Sequence, residues 1–553
     1  MGFGMVFRFG LMAGIAALTL STSAAAQADR HARVDEVFAE WDRPDSPGCA
    51  VSVMQSGAIS YRRGYGMANL EYGIPITPSS IFHVASVSKQ FTGMALVLLA
   101  AEGRLSLDDD VRAYVPEVPD FGHRITIRQL LHHTSGLRDQ WSLLGMAGWR
   151  FEADVITQGD VLDITSRQTA LNFDPGDQYL YSNTGFTVAA AIVERVTGQS
   201  FREVTAERIF QPLGMDGTHF HDDHNMIVPN RAYAYARRDD GGWRISIPDF
   251  DVVGATSLFT TVEDLGAWEH NFFTARVGGV DGLQALQTRG VLNDGEVIDY
   301  ALGIGHGSYR GLPTVGHGGA DAGYRSQFLR FPEQKLGVSV LCNFPTSNPG
   351  RLAQRVAEVY LEGLMVAEES DRGGAGVHMS PDALQRLAGV YHSRMTNAVR
   401  RVTYRDNALW ADVGGETALT PLGDGRFRLG DDPTVVTLAP DGRDEVPVLR
   451  IPGDPSRYVW RPTVDLDANQ LTEYQGVYVS HDLGTEYELV VVEGALVRRH
   501  RKLSDATLTP TYRDGFSGNG FYDFTRDRAG RIHGFTISSE RVWKVEFSRI
   551  GSP

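Results

Sequence analysis

At 553 residues the chain is longer than a single hydrophobic core usually serves, so two or three domains are expected. Its composition, 42% apolar and 22% charged with no low-complexity tract, excludes a fibrous or disordered protein. A formal charge of −16 argues against nucleic acid or an anionic membrane surface as a partner.

Residues 1–28 read as an export signal. Arg8 supplies the positive start, residues 9–20 an apolar run, and Ala26-Gln27-Ala28 a small-x-small site for cleavage after Ala28. The apolar run is short for a membrane span, and no later stretch is apolar enough for one. The mature chain is therefore expected to be periplasmic or secreted, without an integral membrane segment. In such a compartment the two cysteines, Cys49 and Cys342, could pair or remain buried thiols.

Residues 29–365 read as one mixed α/β domain. A strand pair over 48–66 flanks the turn Gln55-Ser56-Gly57. Helices follow over 88–101 and 184–197, closed by Gly103 and Gly198. Strands return over 324–331 and 336–343, joined by the turn 332–335. Strands bracketing a helical middle predict an antiparallel sheet with helices packed on it. The polar, glycine-rich segment 366–380 reads as a linker. Beyond it the chain turns to short strands and Gly/Asp turns, and it repeats itself. Residues 388–393 (AGVYHS) match 475–480 (QGVYVS), 419–421 (LTP) match 508–510, and Phe427 matches Phe516. Two copies of one small β-barrel unit are expected, over 381–465 and 466–553.

The chemistry centres on Ser86-Val87-Ser88-Lys89. Serine needs a base to become a nucleophile. One helical turn puts Ser86 and Lys89 side by side at a helix N-terminus, whose field stabilises an oxyanion and disfavours a protonated lysine. A second phrase, 179–186 (YLYSNTGF), offers Tyr181 and Asn183 on one side of an extended segment. A third, 315–328, carries His317-Gly318-Gly319-Ala320. Its glycines allow close backbone approach, and the Ala320 N–H can complete an oxyanion hole with that of Ser86.

The order S-x-x-K, Tyr-x-Asn, His-x-Gly resembles the serine β-lactamase and penicillin-binding-protein superfamily, and the phrases 130–139 (LLHHTSGLRD), 174–183, 212–215 and 336–343 resemble its class C-like branch. The resemblance covers about residues 29–365. It implies a β-lactamase-like/DD-peptidase fold of α/β (α+β) type, an antiparallel sheet flanked by helices, here followed by two small antiparallel barrels. It implies Ser86 as the acylated nucleophile, Lys89 and Tyr181 as proton carriers, and His317 on the far wall. Asn183, Gly318, Gly319 and Ala320 would bind substrate. It implies no metal and no cofactor, and a small-molecule or short-peptide substrate. The cysteine-bearing strands would be antiparallel neighbours, so that Cys49 and Cys342 could meet. Lys-Thr-Gly, which binds the carboxylate of penicillins and D-Ala-D-Ala peptides in much of the superfamily, is replaced by His317-Gly318-Gly319. That replacement, with the two barrels, resembles the bacterial D-aminopeptidase arrangement, in which a barrel loop reaches the cleft. Residues 512–524 are a candidate for that loop. An esterase, a DD-carboxypeptidase or β-lactamase, and a catalytically silent envelope-binding protein are the alternatives. Oligomeric state is left open.

Outside these motifs, His219, His221 and His224 fit no metal-site template and read as solvated loop residues. His132 and His133 read as structural supports near the cleft. Asp108, Asp109 and Asp110 read as a helix-start cluster, and Arg325 as a surface ion-pair or carboxylate-binding residue.

Overall fold

The computed structural model describes residues 27–366 and 376–551, apart from 414, 431–433, 444, 445, 453 and 455. The export segment up to residue 26 and the centre of the expected linker lie outside the described residues. Among the described residues no helix is long and apolar enough to cross a membrane.

The N-terminal part is built on a six-stranded antiparallel sheet: β1 (Cys49–Gln55), β2 (Ala58–Tyr65), β3 (Gly305–Tyr309), β4 (Leu312–Asp321), β5 (Tyr324–Phe331) and β6 (Leu336–Cys342). Their order across the sheet is β3-β4-β5-β6-β1-β2. Ser56 and Gly57, both at positive φ, close the β1–β2 hairpin. The central strands read as continuous apolar runs because both faces of the sheet are covered. Val51, Val53, Val338 and Val340 pack on one face with Leu352 and Val356 of the helix Pro349–Tyr360. On the other face, Ala50, Phe328 and Leu341 join the main core. That core holds the helix α1 (Lys89–Ala101), of which nearly every residue is buried, and α2 (Asn183–Thr197).

β1 and β6 are paired with Cys49 opposite Cys342, and the two are joined in a disulfide. It ties the first strand of the domain to the last across 293 residues of sequence.

The repeat folds as two closed antiparallel barrels of eight strands each, from Gly389–Ser393 to Tyr458–Arg461 and from Gly476–Ser480 to Val545–Ile550. The matched phrases occupy equivalent places. Gly389 and Gly476 both sit near φ +150°, where a side chain is strained. Tyr391 and Tyr478 each donate their hydroxyl to the carbonyl four residues earlier, of Leu387 and Tyr474. Pro421 and Pro510 each face the matching phenylalanine, Phe427 and Phe516, at a β-bulge. The run 512–524 is spent on the strands Gly515–Gly518 and Gly520–Arg526, so it is not the cleft-reaching loop.

The two barrels differ in attachment. The first has its own core. The second shares one with the N-terminal domain: Leu143, Leu144, Ile156, Ile164 and Phe250 cluster with Tyr487, Leu489 and Phe547. Inside this junction Arg138 donates to Asp482 at 2.8 Å, with side chains only 3% and 8% exposed. Gln168 donates to the Asp482 carbonyl, Thr169 to its carboxylate, and the Tyr487 hydroxyl to the Met146 carbonyl.

Two outcomes follow. Thiol titration of the denatured, unreduced protein should find no free group, and Cys49→Ala/Cys342→Ala should lower unfolding free energy by on the order of 5 kcal/mol in denaturant titration, as closure of so long a loop implies. Arg138→Met, which leaves Asp482 buried without its cation, should destabilise the chain by about 3–5 kcal/mol in the same assay.

Candidate functional site

Ala85 takes φ +47°, a left-handed turn that L-residues adopt at a cost of about 1 kcal/mol. The chain then runs through a short 3₁₀ turn, Ala85–Ser88, directly into α1. Ser86 therefore stands at the mouth of the helix, half-buried and facing an open cleft, with Lys89 one turn below it.

Lys89 is completely buried. Its Nζ lies 2.6 Å from the Ala255 carbonyl, 2.8 Å from Asn183 Oδ1 and 3.0 Å from Ser86 Oγ. Burial drives its pKa well below the ordinary lysine value; the Arg541 cation pushes the same way, while Asp139 and Asp321 oppose it. A neutral amine has two N–H donors and one lone pair. Two of the three neighbours are carbonyl oxygens that can only accept, so the lone pair is left for the Ser86 hydroxyl.

Asn183 is the first residue of α2 rather than part of an extended segment. Asp139, the N-cap of the helix Gln140–Ala147, accepts both the Asn183 backbone N–H and its side-chain amide at 2.8 Å. This fixes the amide orientation and turns Oδ1 toward Lys89. Tyr181 sits beside Ser86, its ring 4.9 Å from Lys89 Nζ. Burial raises its pKa; the Ser86 hydroxyl and the Arg541 cation oppose that rise. His133 stacks on Tyr181 at 4.1 Å, and its Nδ1 accepts the Ser182 N–H at 3.1 Å. His133 thus supports the tyrosine, and burial keeps it uncharged.

β4 forms the opposite wall. Gly319 packs on the segment that carries Ser86: a Cβ there would lie 2.2 Å from the Val84 carbonyl and 3.1 Å from the Ser86 nitrogen. Only glycine fits this approach. Beyond Gly316 the outer edge of β4 has no strand partner, because β3 pairs only as far as that residue. Gly318, Gly319 and Ala320 line the cleft there. His317 Nδ1 lies 2.6 Å from the Gly318 carbonyl, which can only accept, so Nδ1 carries the proton. Nε2 then accepts the Tyr300 hydroxyl at 2.8 Å. Burial and Lys89 hold the His317 pKa down to about 4, so the imidazole is uncharged at neutral pH.

The structure thus brings Ser86, Lys89, Tyr181, Asn183, His317, Gly318, Gly319 and Ala320 into one cleft. The sequence motifs did not single out Asp139, Tyr300, the Ala255 carbonyl, Asp321 or Arg541. Asp321 lines the cleft and accepts from His83 and Thr256. Arg541 belongs to the turn 539–544 of the second barrel. Its carbonyl accepts from the Asp139 N–H and the Asn172 amide, and its guanidinium carbon lies 4.8 Å from the centre of the Tyr181 ring. Arg325 lines the cleft too and donates to the Ala322 and Tyr324 carbonyls instead of entering a surface ion pair.

Other expectations are corrected. His221 is buried and His219 half-buried: His219 lies in a short strand and both pack on Phe259, while His224 pairs with Asp251 at 3.0 Å. Of the three aspartates only Asp110 caps a helix, the short turn Val111–Ala113. Asp109 accepts the Ser106 N–H and Asp108 pairs with Arg128.

Comparison with known proteins agrees with this architecture. The Beta-lactamase family model matches residues 34–361. A D-aminopeptidase of Gluconobacter oxydans is 30% identical over 357 residues, 64% of this chain and 65% of that protein. The match thus spans just under two thirds of that relative's length. A D-aminopeptidase of Brucella canis is 25% identical over 530 residues, 91% of this chain and 96% of that one. Among solved structures, the octameric penicillin-binding protein homologue of Pyrococcus abyssi superposes with a TM-score of 0.54 at 24% identity, covering 78% of this chain and 99% of its own. With the family model spanning more than half of the sequence, and a serine, a buried lysine and a tyrosine gathered in one cleft, the chain belongs to the beta-lactamase family of serine hydrolases.

Proposed function

We propose that this chain is an exported hydrolase of small amides or short peptides that works through an acyl-enzyme on Ser86, with a D-aminopeptidase-like preference for an N-terminal D-residue. One observation carries the mechanism: the buried Lys89 amine has its two N–H groups taken by the Ala255 carbonyl and Asn183 and its lone pair left for Ser86 Oγ, 3.0 Å away.

In this reading Ser86 Oγ attacks the substrate carbonyl while its proton passes to the Lys89–Tyr181 pair. The carbonyl oxygen gains negative charge against the N–H groups of Ser86 and Ala320. The C–N bond breaks as Tyr181, resupplied from Lys89, delivers a proton to the leaving nitrogen. Water then adds to the ester, losing its proton to the same pair, and Ser86 leaves as its hydroxyl. His317 stays neutral throughout and shapes the wall. The D-aminopeptidase preference is supported by the similarity to the Brucella canis D-aminopeptidase over 91% of this chain, and by the absence of Lys-Thr-Gly on β4.

Ser86→Ala should lower kcat by at least about a thousandfold with the fold retained, and Lys89→Ala should come close. The assay is a panel of D- and L-amino-acid p-nitroanilides, p-nitrophenyl esters, a D-Ala-D-Ala peptide and a chromogenic cephalosporin. Release fastest from D-anilides and dependent on Ser86 is the expected result; release only from esters, or only from the cephalosporin, overturns the preference.

The pH dependence has a definite sign. Activity requires neutral Lys89, so kcat/KM should fall as pH drops through its pKa. Asp139 holds that pKa up, so Asp139→Asn should move the acid limb to lower pH. It should also lower kcat by roughly 10–100-fold, because Asn183 loses its orienting acceptor. An unmoved acid limb would remove Lys89 from the role of base.

A further inference from the structure

Arg541 is the feature that the catalytic steps above leave unused. Its backbone is pinned from both sides. The carbonyl accepts from Asn172 and from the Asp139 N–H, the Trp543 N–H donates to the Asn172 side chain at 2.8 Å, and Arg138 donates to the Lys544 carbonyl at 3.2 Å. The turn is therefore held rigidly against the N-terminal domain, and it points its side chain into the cleft. The guanidinium, in contrast, makes no hydrogen bond or ion pair with any described residue; its one close neighbour is the Tyr181 ring.

Acidic side chains outnumber basic ones, 68 to 52, and arginines elsewhere are extensively paired. A half-buried guanidinium with five donors and no acceptor is a ready receptor for a planar anion. Within the cleft, Asp321 is the carboxylate, and it is engaged by His83 and Thr256. The position also gives direction. In the proposed mechanism Tyr181 delivers the proton to the leaving nitrogen, so the leaving group lies against Tyr181. Arg541 stands over that same ring.

We propose that Arg541, carried into the cleft by the second barrel, binds the carboxylate of the leaving amino acid, which makes the preferred substrate a short peptide ending one residue beyond the scissile bond. This rests on the hydrolase reading above and narrows its substrate class. It also assigns the anion-binding role to the barrel domain, where β4 with its neutral His317 offers no cation.

The test uses the full chain and a matched pair of probes, D-alanyl-glycine and its C-terminal amide. Calorimetric binding to Ser86→Ala should favour the free acid by at least tenfold. Ser86→Ala/Arg541→Gln should erase that preference, and Ser86→Ala/Arg541→Lys should retain part of it. In turnover, Arg541→Gln should raise KM for the free acid at least tenfold more than for the amide. A preference below twofold in Ser86→Ala, or one that survives Arg541→Gln, overturns the proposal. So does an equal fall in kcat on both probes, which would mean that the guanidinium acts only through Tyr181. Circular dichroism and thermal melting of each variant separate these results from misfolding. If Ser86→Ala binds with the expected preference while the unsubstituted protein cleaves neither probe, the anion site stands and the hydrolase reading fails for this substrate class.

Discussion

The burial of one amine organises this molecule. Lys89 has no solvent exposure, and an uncompensated ammonium at that depth would cost several kcal/mol. The fold meets this constraint by favouring the neutral form and supplying carbonyl acceptors from two distant segments, Asn183 at the start of α2 and Ala255 from the loop before the strand Leu258–Thr260. Each acceptor is in turn fixed. Asp139 takes both N–H positions of Asn183, and the loop of Ala255 is tied to α1 by Thr92, which donates to the Gly254 carbonyl at 2.8 Å. With both N–H groups of the neutral amine held by these carbonyl oxygens, its lone pair is directed at the Ser86 hydroxyl.

Adjacent residues couple this network to domain docking. Arg138 forms the buried ion pair that seats the second barrel through Asp482, and Asp139, the next residue, orients Asn183. The backbone of Asp139 also donates to the carbonyl of Arg541. Three consecutive links therefore run from the barrel core to the lysine. The barrel cannot shift against the N-terminal domain without moving the residue that holds the Asn183 amide. The shared apolar core at Leu143, Ile164 and Tyr487 makes such a shift unfavourable in its own right. The first barrel, with a separate core, has no comparable link to the cleft among the described residues.

Much of this was legible in the sequence because it depends on local pattern. The strands of the sheet, α1 and the barrel repeat each announce themselves through periodicity, glycine punctuation or self-similarity. Ser86, Lys89, Tyr181, Asn183 and His317 stand in motifs whose order along the chain carries the resemblance to the superfamily. What stayed hidden depends on long-range placement. Asp139 is one of many aspartates that could cap a helix, and nothing local says that its second oxygen meets a residue 44 positions later. Arg541 lies far along the chain from Tyr181, whose ring it faces, on a short turn with no motif. The glycine-rich run 512–524 looked more like a reaching loop, yet its glycines serve barrel strands and a bulge-bearing hairpin. Glycine and aromatic content marks a turn, whereas reach is decided by which barrel edge faces the partner domain. The histidines at 219–224 misled for a related reason: flanking aspartates suggest solvent, but Phe259 covers two of the three.

The two walls of the cleft end up with different electrical character, and this bears on how a substrate can lie. On the β4 side the hydrogen bond from His317 Nδ1 to the Gly318 carbonyl and the one received from Tyr300 lock a neutral imidazole. Burial disfavours a charged imidazole there, which is why its pKa falls to about 4. On the barrel side Arg541 presents a guanidinium to the cleft. In the proposed reading the N-terminal domain supplies the nucleophile and the proton path, and the barrel supplies a charge that orients the leaving end of the substrate. Because the same cation lies close enough to Lys89 to disfavour its protonation, recognition and activation draw on one guanidinium. A separate, freely moving binding module could not deliver that second effect, since the electrostatic influence on a buried amine falls away once water enters between them.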